Sequence, residues 1–352
     1  MKLKNNRVMV GLSGGVDSTV TAHILKSMGY DVIGITMLTS NECDFIEDAK
    51  RVSQILSIPH YILDIRKEFK SSVIDKFVDM YSQGKTPNPC VICNKTIKFG
   101  KMLEISKEYG AYYFATGHYA KIQYDKSIDR YRIYKGKASG KDQAYVLYSL
   151  KQCQLEHILM PLGHYPSKDY IRKIAHAILP DIAKKDDSNG ICFIPSGDYK
   201  KFLKTYYPHI IKKGNFVDVD GNILGKHKGI VNYTIGQRRG IGERFNKPMY
   251  VVELDANNDR VILGENSDTL AKGLLGINPN FIPFDKLEGK MKVRMKICHW
   301  GWYLKGNIQM TSDGKVKVLF DRKERAVAPG QVVVFYKDNE IIGGAEIETV
   351  IK

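Results

Sequence analysis

Residues 11 to 18 read Gly-Leu-Ser-Gly-Gly-Val-Asp-Ser, directly after the apolar run Val8-Met9-Val10 and before a helix-like segment. Gly14 and Gly15 have no Cβ, so the backbone can turn sharply and bring its N–H groups against an anion at the positive end of the following helix. Ser13 and Ser18 add hydroxyl donors, and the run reads as a phosphate site. Asp17 would repel a bare phosphate, so its expected roles are to cap the helix or to hold a magnesium ion that bridges phosphate oxygens. The loop has neither the Gly-Lys-Ser/Thr ending of a Walker loop nor the three-glycine spacing of a dinucleotide fingerprint. A second reactive group is Thr86-Pro87-Asn88-Pro89-Cys90-Val91-Ile92-Cys93-Asn94-Lys95. Its prolines fix an extended entry and put two cysteines on a short turn ahead of a helix N-terminus, where the helix dipole favours thiolate. Cys192 follows a glycine turn in Asp187-Ser188-Asn189-Gly190-Ile191-Cys192-Phe193-Ile194. With no second Cys-x-x-Cys and no His-x-x-x-His, a closed structural zinc site is disfavoured. Cys43, Cys153 and Cys298 are expected to be small buried hydrophobes or idle surface thiols.

These groups need a scaffold, and the first part of the chain supplies alternating strand and helix. The pattern predicts strands at 7–12, 31–37, 60–64 and 112–116 and helices at 17–28, 44–56, 66–81 and 95–109, hence a parallel sheet with crossover helices. Ligands of such sheets bind beyond the carboxyl ends of the strands. Gly11–Ser18, Met37 and Gly117-His118 all fall there, so they are expected to converge on one nucleotide. From about Gly214 the texture becomes short apolar alternations punctuated by glycine and asparagine, and from about Leu275 five further strands predict a small barrel or sandwich. The fold class read from this is α/β: an N-terminal parallel-sheet, Rossmann-like domain over 1–205, a central β-rich domain over 206–274 and a C-terminal β-barrel over 275–352. A length of 352 residues fits two or three domains. Lys and Arg number 54 against 38 Asp and Glu, a formal charge of +16 spread over several segments, which points to a polyanionic partner. Met1 to Asn6 lead into a strand without a signal-peptide core, and no apolar run would span a bilayer, so a cytoplasmic protein is expected.

The Gly11–Ser18 loop resembles the SGGxDS loop of the PP-loop ATP pyrophosphatase superfamily. Over essentially its full length the chain resembles the bacterial tRNA-specific 2-thiouridylase family (MnmA type). The segments that carry this are the loop itself, Pro87–Lys95, Ala115-Thr116-Gly117-His118-Tyr119-Ala120, Lys141-Asp142-Gln143, Gly190–Ile194, Tyr233-Thr234-Ile235-Gly236-Gln237-Arg238-Arg239-Gly240 and Pro329-Gly330-Gln331. The resemblance implies an enzyme that uses ATP to adenylate the C2 oxygen of the wobble uridine in the tRNA anticodon stem-loop and then replaces that oxygen with sulfur. Cys192 matches the cysteine that carries the sulfur as a persulfide, received from a separate sulfur-donor protein, and Cys93 the nucleophile that completes transfer by forming a disulfide. Gly11, Leu12, Ser13, Gly14, Gly15, Val16, Asp17, Ser18, Met37 and Gly117 match ATP contacts. His118, Lys141, Asp142, Gln143, Arg294 and Gln331 match tRNA contacts, and Asn88, Pro89 and Cys90 the target-base segment. Neither membrane nor DNA is an implied partner.

Two departures stand out. At position 90 many relatives carry Asp, a candidate general acid/base, and a thiol with a reference pKa near 8.5 is no direct replacement for it. With Cys90, Cys93 and Cys192 the chain has three thiols that would suit an open four-iron cluster binding sulfide for transfer. Relatives also often show Arg-Tyr where this chain has Arg294-Met295, which removes a stacking surface. Basic stretches with interleaved aromatics, Tyr199–Lys213 and Lys226–Lys247 (whose one acidic residue is Glu243), suit phosphate and unpaired bases. Two other classes share the loop: a PP-loop synthetase or amidotransferase of small metabolites, which has no need of Cys93 with Cys192, and an RNA-binding protein with an inactive nucleotide site, which has no need of Ser13, Asp17 and Ser18.

Overall fold

The computed structural model describes residues 5–41, 45–187, 190–242, 245 and 247–352. Cys43, Asp44, Ser188, Asn189, Glu243 and Arg244, part of the segments read above, lie outside the described residues. The chain forms two compact units: residues up to Val73 with Cys90–Phe193 and Asp338–Ile342, and Ile74–Pro89 with Ile194–Lys337 and Gly343–Lys352.

In the first unit, β1 (Arg7–Gly11), β2 (Asp31–Leu38), β3 (His60–Asp64), β4 (Tyr113–Ala115) and β7 (Ile158–Leu159) make a parallel sheet of order β3-β2-β1-β4-β7. Val8, Met9 and Val10 are fully buried, as an uninterrupted apolar strand at the centre of a parallel sheet must be. Helix α1 (Val16–Ser27) follows β1 and α2 (Phe45–Ile55) follows β2. From β1 the chain builds outward through β2 to β3 and then crosses to the other side of β1 for β4. The crevice between β1 and β4 is therefore the switch point of the topology, where loops diverge and leave room for a ligand. A hairpin of β5 (Ala120–Asp125) and β6 (Arg130–Lys135), which the sequence reading did not foresee, extends beyond β4. Arg132 on β6 pairs with Glu340, the first residue of β17 (Glu340–Ile351).

The second unit carries the β-rich regions. A four-stranded sheet has the order β10-β11-β8-β9, from β8 (Gly214–Val217), β9 (Ile223–His227), β10 (Tyr250–Asp255) and β11 (Arg260–Gly264). Six strands, β12 (Leu270–Phe281), β15 (Val316–Arg325), β14 (Leu304–Met310), β13 (Lys290–Lys296), β16 (Val332–Lys337) and β17, follow one another antiparallel, and β17 pairs back to β12 to close a barrel. The expected barrel is there, and β12 runs across the boundary expected at residues 274 and 275. Its Gly273 serves close approach: a Cβ there would lie 2.1 Å from the Val318 carbonyl oxygen.

Among the described residues no helix is long and apolar enough to cross a membrane.

Candidate active site

The loop after β1 begins where Leu12 turns inward, its N–H donating to the Ile35 carbonyl and its carbonyl accepting from Thr36 Oγ1, both at 2.8 Å. Gly14 has φ +67, and a Cβ there would meet Asp48 Cβ at 2.6 Å, so both its conformation and its packing require glycine. Gly15 is the N-cap of α1 and no side chain caps the helix, which leaves its first N–H groups facing the loop. This corrects the expectation that Asp17 caps: it lies inside the first turn. Ser13 and Ser18 hydroxyls stand 3.2 Å apart, and Ser18 Oγ accepts from the Ser13 N–H at 3.2 Å. A cavity of about 220 Å³ opens at this point. Of the ten expected nucleotide residues, Gly11, Leu12, Ser13, Asp17, Ser18, Met37 and Gly117 line it. Gly14 and Gly15 shape the turn, and Val16 is packed into the core. Gly117 is held to glycine by Asp17, whose Cβ would be 2.7 Å from an added Cβ.

Asp17 is not free. Lys168 Nζ donates to both its carboxylate oxygens at 2.7 Å, and the Tyr119 hydroxyl donates at 2.6 Å. Lys168 also reaches Asp187 at 3.1 Å, and Asp187 in turn holds Lys141 at 2.6 Å and Arg172 at 2.9 Å. Burial opposes ionisation of Asp187, but hydrogen bonds from Lys141 and Lys168 outweigh it and hold the carboxyl down at about 2. Lys168, Arg172 and Asp187 went unnoticed as site residues because charges 151 residues apart in the chain leave no spacing signal.

The cysteines sit differently from expectation. Helix begins at Pro89 and runs Pro89–Cys93, continues with π hydrogen bonding over Asn94–Lys101, and ends as Met102–Glu108. Proline suits a first helical position, so both cysteines are inside the first turns rather than on a turn ahead of them. The expected preference for thiolate is also reversed. Desolvation pushes the Cys93 thiol up to about 11, raises Cys90 and Cys192 as well, and outweighs the opposing pull of the Lys98 ammonium on all three. Cys192 is close enough to Cys90 and Cys93 for its charge to disfavour theirs. Cys90 and Cys192 are exposed and Cys93 half-buried, whereas Cys153 and Cys298 are exposed thiols apart from this group. Among the described residues no three His, Cys, Asp or Glu side chains are placed to hold a metal ion. The three thiols as positioned do not fit a resident cluster, and Asp17 is already engaged by a lysine.

Lys98 is a further residue that the sequence reading missed. It lines the nucleotide cavity together with Phe45 and Thr116, and it has no ion-pair partner among the described residues. It is five residues beyond Cys93 in the π-helical stretch, whose i→i+5 bonding brings such positions toward one face. That spacing was the available signal. A cation shared between a phosphate cavity and three thiols can stabilise negative charge in either place.

The residues expected to touch tRNA divide. His118 and Gln143 are in the wall of the same cavity. His118 is buried, with Nδ1 2.7 Å from Thr116 Oγ1, and burial together with Lys98 holds it neutral. Gln143 Oε1 accepts from the Tyr119 N–H at 3.1 Å, Asp142 accepts from the Gly136 N–H at 3.1 Å, and Lys141 pairs with Asp187. In the second unit, Gln331 Nε2 donates to the Thr86 and Pro87 carbonyls at 3.2 and 3.4 Å, which fixes the chain just before Asn88 and Pro89. Arg294 is exposed on β13, its guanidinium 4.2 Å from the centroid of the Tyr303 ring, and Met295 points into the barrel. Tyr233 is a core residue packed on Phe216 and His227, not a stacking platform.

A PP-loop on a Rossmann-like sheet with facing cysteines defines a nucleotide-dependent, thiol-using class of protein. Residues 6–196 match the family described as the tRNA methyl transferase HUP domain, 200–265 its PRC-barrel domain and 271–347 the aminomethyltransferase β-barrel domain. The chain is 46% identical to a protein named tRNA-specific 2-thiouridylase MnmA 2 from Thermoanaerobacter sp., over 99% of each chain. It is also 46% identical to tRNA-specific 2-thiouridylase MnmA from Clostridium perfringens, over 99% of this chain and 100% of the relative. The chain belongs to this MnmA family of tRNA-specific 2-thiouridylases.

Lys98→Gln should raise the pH at which Cys93 becomes reactive. A thiol alkylates as thiolate, so in the free protein the rate at Cys93 should climb with pH toward about 11. Removing the nearby cation should move that rise to higher pH, and Lys98→Arg should restore it. Alkylation rate against pH, read at Cys93 by peptide mass, tests this; identical profiles for the wild type and Lys98→Gln would remove Lys98 from the site.

Proposed function

We propose that this chain is an ATP-dependent tRNA-uridine 2-sulfurtransferase. The observation that carries the reading is that one unit combines a phosphate cavity built on the Gly11–Ser18 loop with three mutually interacting thiols, and that Lys98 belongs to both. ATP enters with its phosphates at the N-terminus of α1. The C2 oxygen of the wobble uridine attacks the α-phosphorus and pyrophosphate leaves. C2 is then bonded to an oxygen that departs as AMP when the terminal sulfur of a Cys192 persulfide attacks. Cys93 attacks the Cys192 sulfur, their disulfide forms, and the second sulfur stays on C2 as the 2-thio group. An external dithiol restores both thiols, and a separate persulfide protein reloads Cys192.

The family description speaks of methyl transfer, while the named relatives are thiouridylases. A methyl donor needs neither a pyrophosphatase-type loop nor a pair of cysteines, so the residues favour sulfur transfer. The same pair argues against a small-metabolite synthetase, and the intact Ser13, Asp17 and Ser18 argue against an inactive RNA-binding site. Between the two sulfur schemes, the persulfide is favoured over a four-iron cluster on Cys90, Cys93 and Cys192 because the thiols are not placed as a ligand set. Magnesium would accompany the phosphates of ATP rather than occupy a protein cage. We also place the protein in the cytoplasm with its tRNA substrate, and divide it into domains at about residue 205 and at the start of β12.

The test is a paired assay of 2-thiouridine and pyrophosphate. Cys93→Ser and Cys192→Ser should each abolish thiolation and leave tRNA-dependent pyrophosphate release intact, while Cys90→Ser stays within a few-fold of wild type in both. Loss of thiolation in all three, restored by iron and sulfide in the wild type alone, would replace the persulfide by a cluster. Full thiolation in Cys93→Ser and Cys192→Ser would overturn the sulfur-transfer reading.

Asp17→Ala should abolish pyrophosphate release and largely spare tRNA binding. It strips Lys168 and Tyr119 of their shared acceptor at the phosphate loop and leaves the basic β-rich regions unchanged. Near-normal turnover would remove Asp17 from the activation step.

A further inference from the structure

The chain has two tryptophans, Trp300 and Trp302, both in the connection between β13 and β14, and they are 87% and 77% exposed. Indole rings are normally among the better buried side chains, so two held in water side by side need a reason. Their surroundings supply one. Between Lys290 and Met310 there are five Lys or Arg residues and no Asp or Glu. Strand alternation sends Val293 and Met295 into the barrel and sets Lys290, Lys292 and Arg294 on its outer face, in line toward the tryptophan loop. At the end of that line Arg294 and Lys296 lie over the Tyr303 ring, at 4.2 and 4.9 Å from its centroid, and the His299 and Trp300 rings approach within 4.8 Å.

A row of cations that can follow a phosphate backbone, ending in exposed aromatic faces, is the arrangement that proteins use on single-stranded nucleic acid: phosphates take the charges and unpaired bases stack on the rings. An acidic peptide would use the cations but offers the indoles a flat group only at an occasional aromatic side chain, whereas every unpaired nucleotide brings one, and an apolar partner would gain nothing from the cations. We propose that Trp300 and Trp302, with the Lys290–Lys296 strand face, form a stacking platform for unpaired bases of the tRNA substrate. The platform rests on the sulfurtransferase reading for the identity of the RNA. It adds an anchoring surface on the barrel, distinct from the residues that activate and thiolate the target base.

Because the chain has no other tryptophan, its fluorescence under excitation that selects indole over the 21 tyrosines reports on this loop alone. Titrating the full-length protein with an unmodified tRNA transcript that carries a wobble uridine should quench that fluorescence saturably. The Trp300→Ala/Trp302→Ala protein should bind the same transcript about tenfold more weakly, within the range for loss of base stacking, while Trp300→Phe/Trp302→Phe keeps most of the affinity. A fully paired RNA duplex should bind the wild type and the alanine variant alike. Equal thermal midpoints for all three proteins exclude misfolding as the cause. An alanine variant that binds the transcript as tightly as wild type, or a wild type whose fluorescence ignores saturating tRNA, overturns the platform and leaves the sulfurtransferase reading standing. A wild type that binds no tRNA overturns both.

Discussion

The ion pair between Asp17 and Lys168 is the constraint on which the site depends. Asp17 sits in the first turn of α1, where the helix dipole favours a carboxylate, yet a carboxylate beside a phosphate cavity would repel the ligand. Lys168, only 10% exposed, neutralises it through both oxygens and passes the remaining charge to Asp187. Asp187 in turn gathers Lys141 and Arg172. Five sequence segments are thereby held by one network: the phosphate loop, Tyr119 beyond β4, the turn that ends at Lys141, the Lys168–Ile178 helix and the stretch that leads to Cys192. Such a node sets the loop and the sulfur-bearing segment in register before any substrate arrives, which is how a site gains preorganisation.

The thiols obey a different balance. The Lys98 ammonium favours thiolate at all three, and desolvation outweighs it, so each thiol is shifted toward its neutral form. Neutral thiols resist oxidation better than thiolates do. Cys90 joins the same group of thiols without supplying a carboxylate. The neutral, buried His118 and Lys98 both line the phosphate cavity.

Much of this was legible in the sequence because its signals are local. The continuous apolar strand β1, the glycine loop and the Cys-x-x-Cys segment each announce themselves within ten residues, and the strand order that makes them converge follows from alternating elements. What was not legible depends on distant partners. Lys168 reads as an ordinary helix lysine until Asp17 faces it. Gly273 lies within barrel strand β12, and its need for glycine comes from the Val318 carbonyl oxygen on a strand far away in sequence. The β5–β6 hairpin is rich in tyrosine and charge and lacks an apolar stripe, because only Ala120 and Ile133 are fully buried. Among the site residues, Gln331 matched its family position, but only the structure places its amide on the Thr86 and Pro87 carbonyls.

The central claim is that the phosphate cavity serves to turn the uridine C2 oxygen into a leaving group. It is tested most directly by following that oxygen. With a tRNA transcript carrying oxygen-18 at C2 of the wobble uridine, each 2-thiouridine formed should be matched by one AMP bearing a single oxygen-18 in its phosphate. Formation of 2-thiouridine with unlabelled AMP would contradict it, because the oxygen would then have left C2 without ever having been bonded to phosphorus.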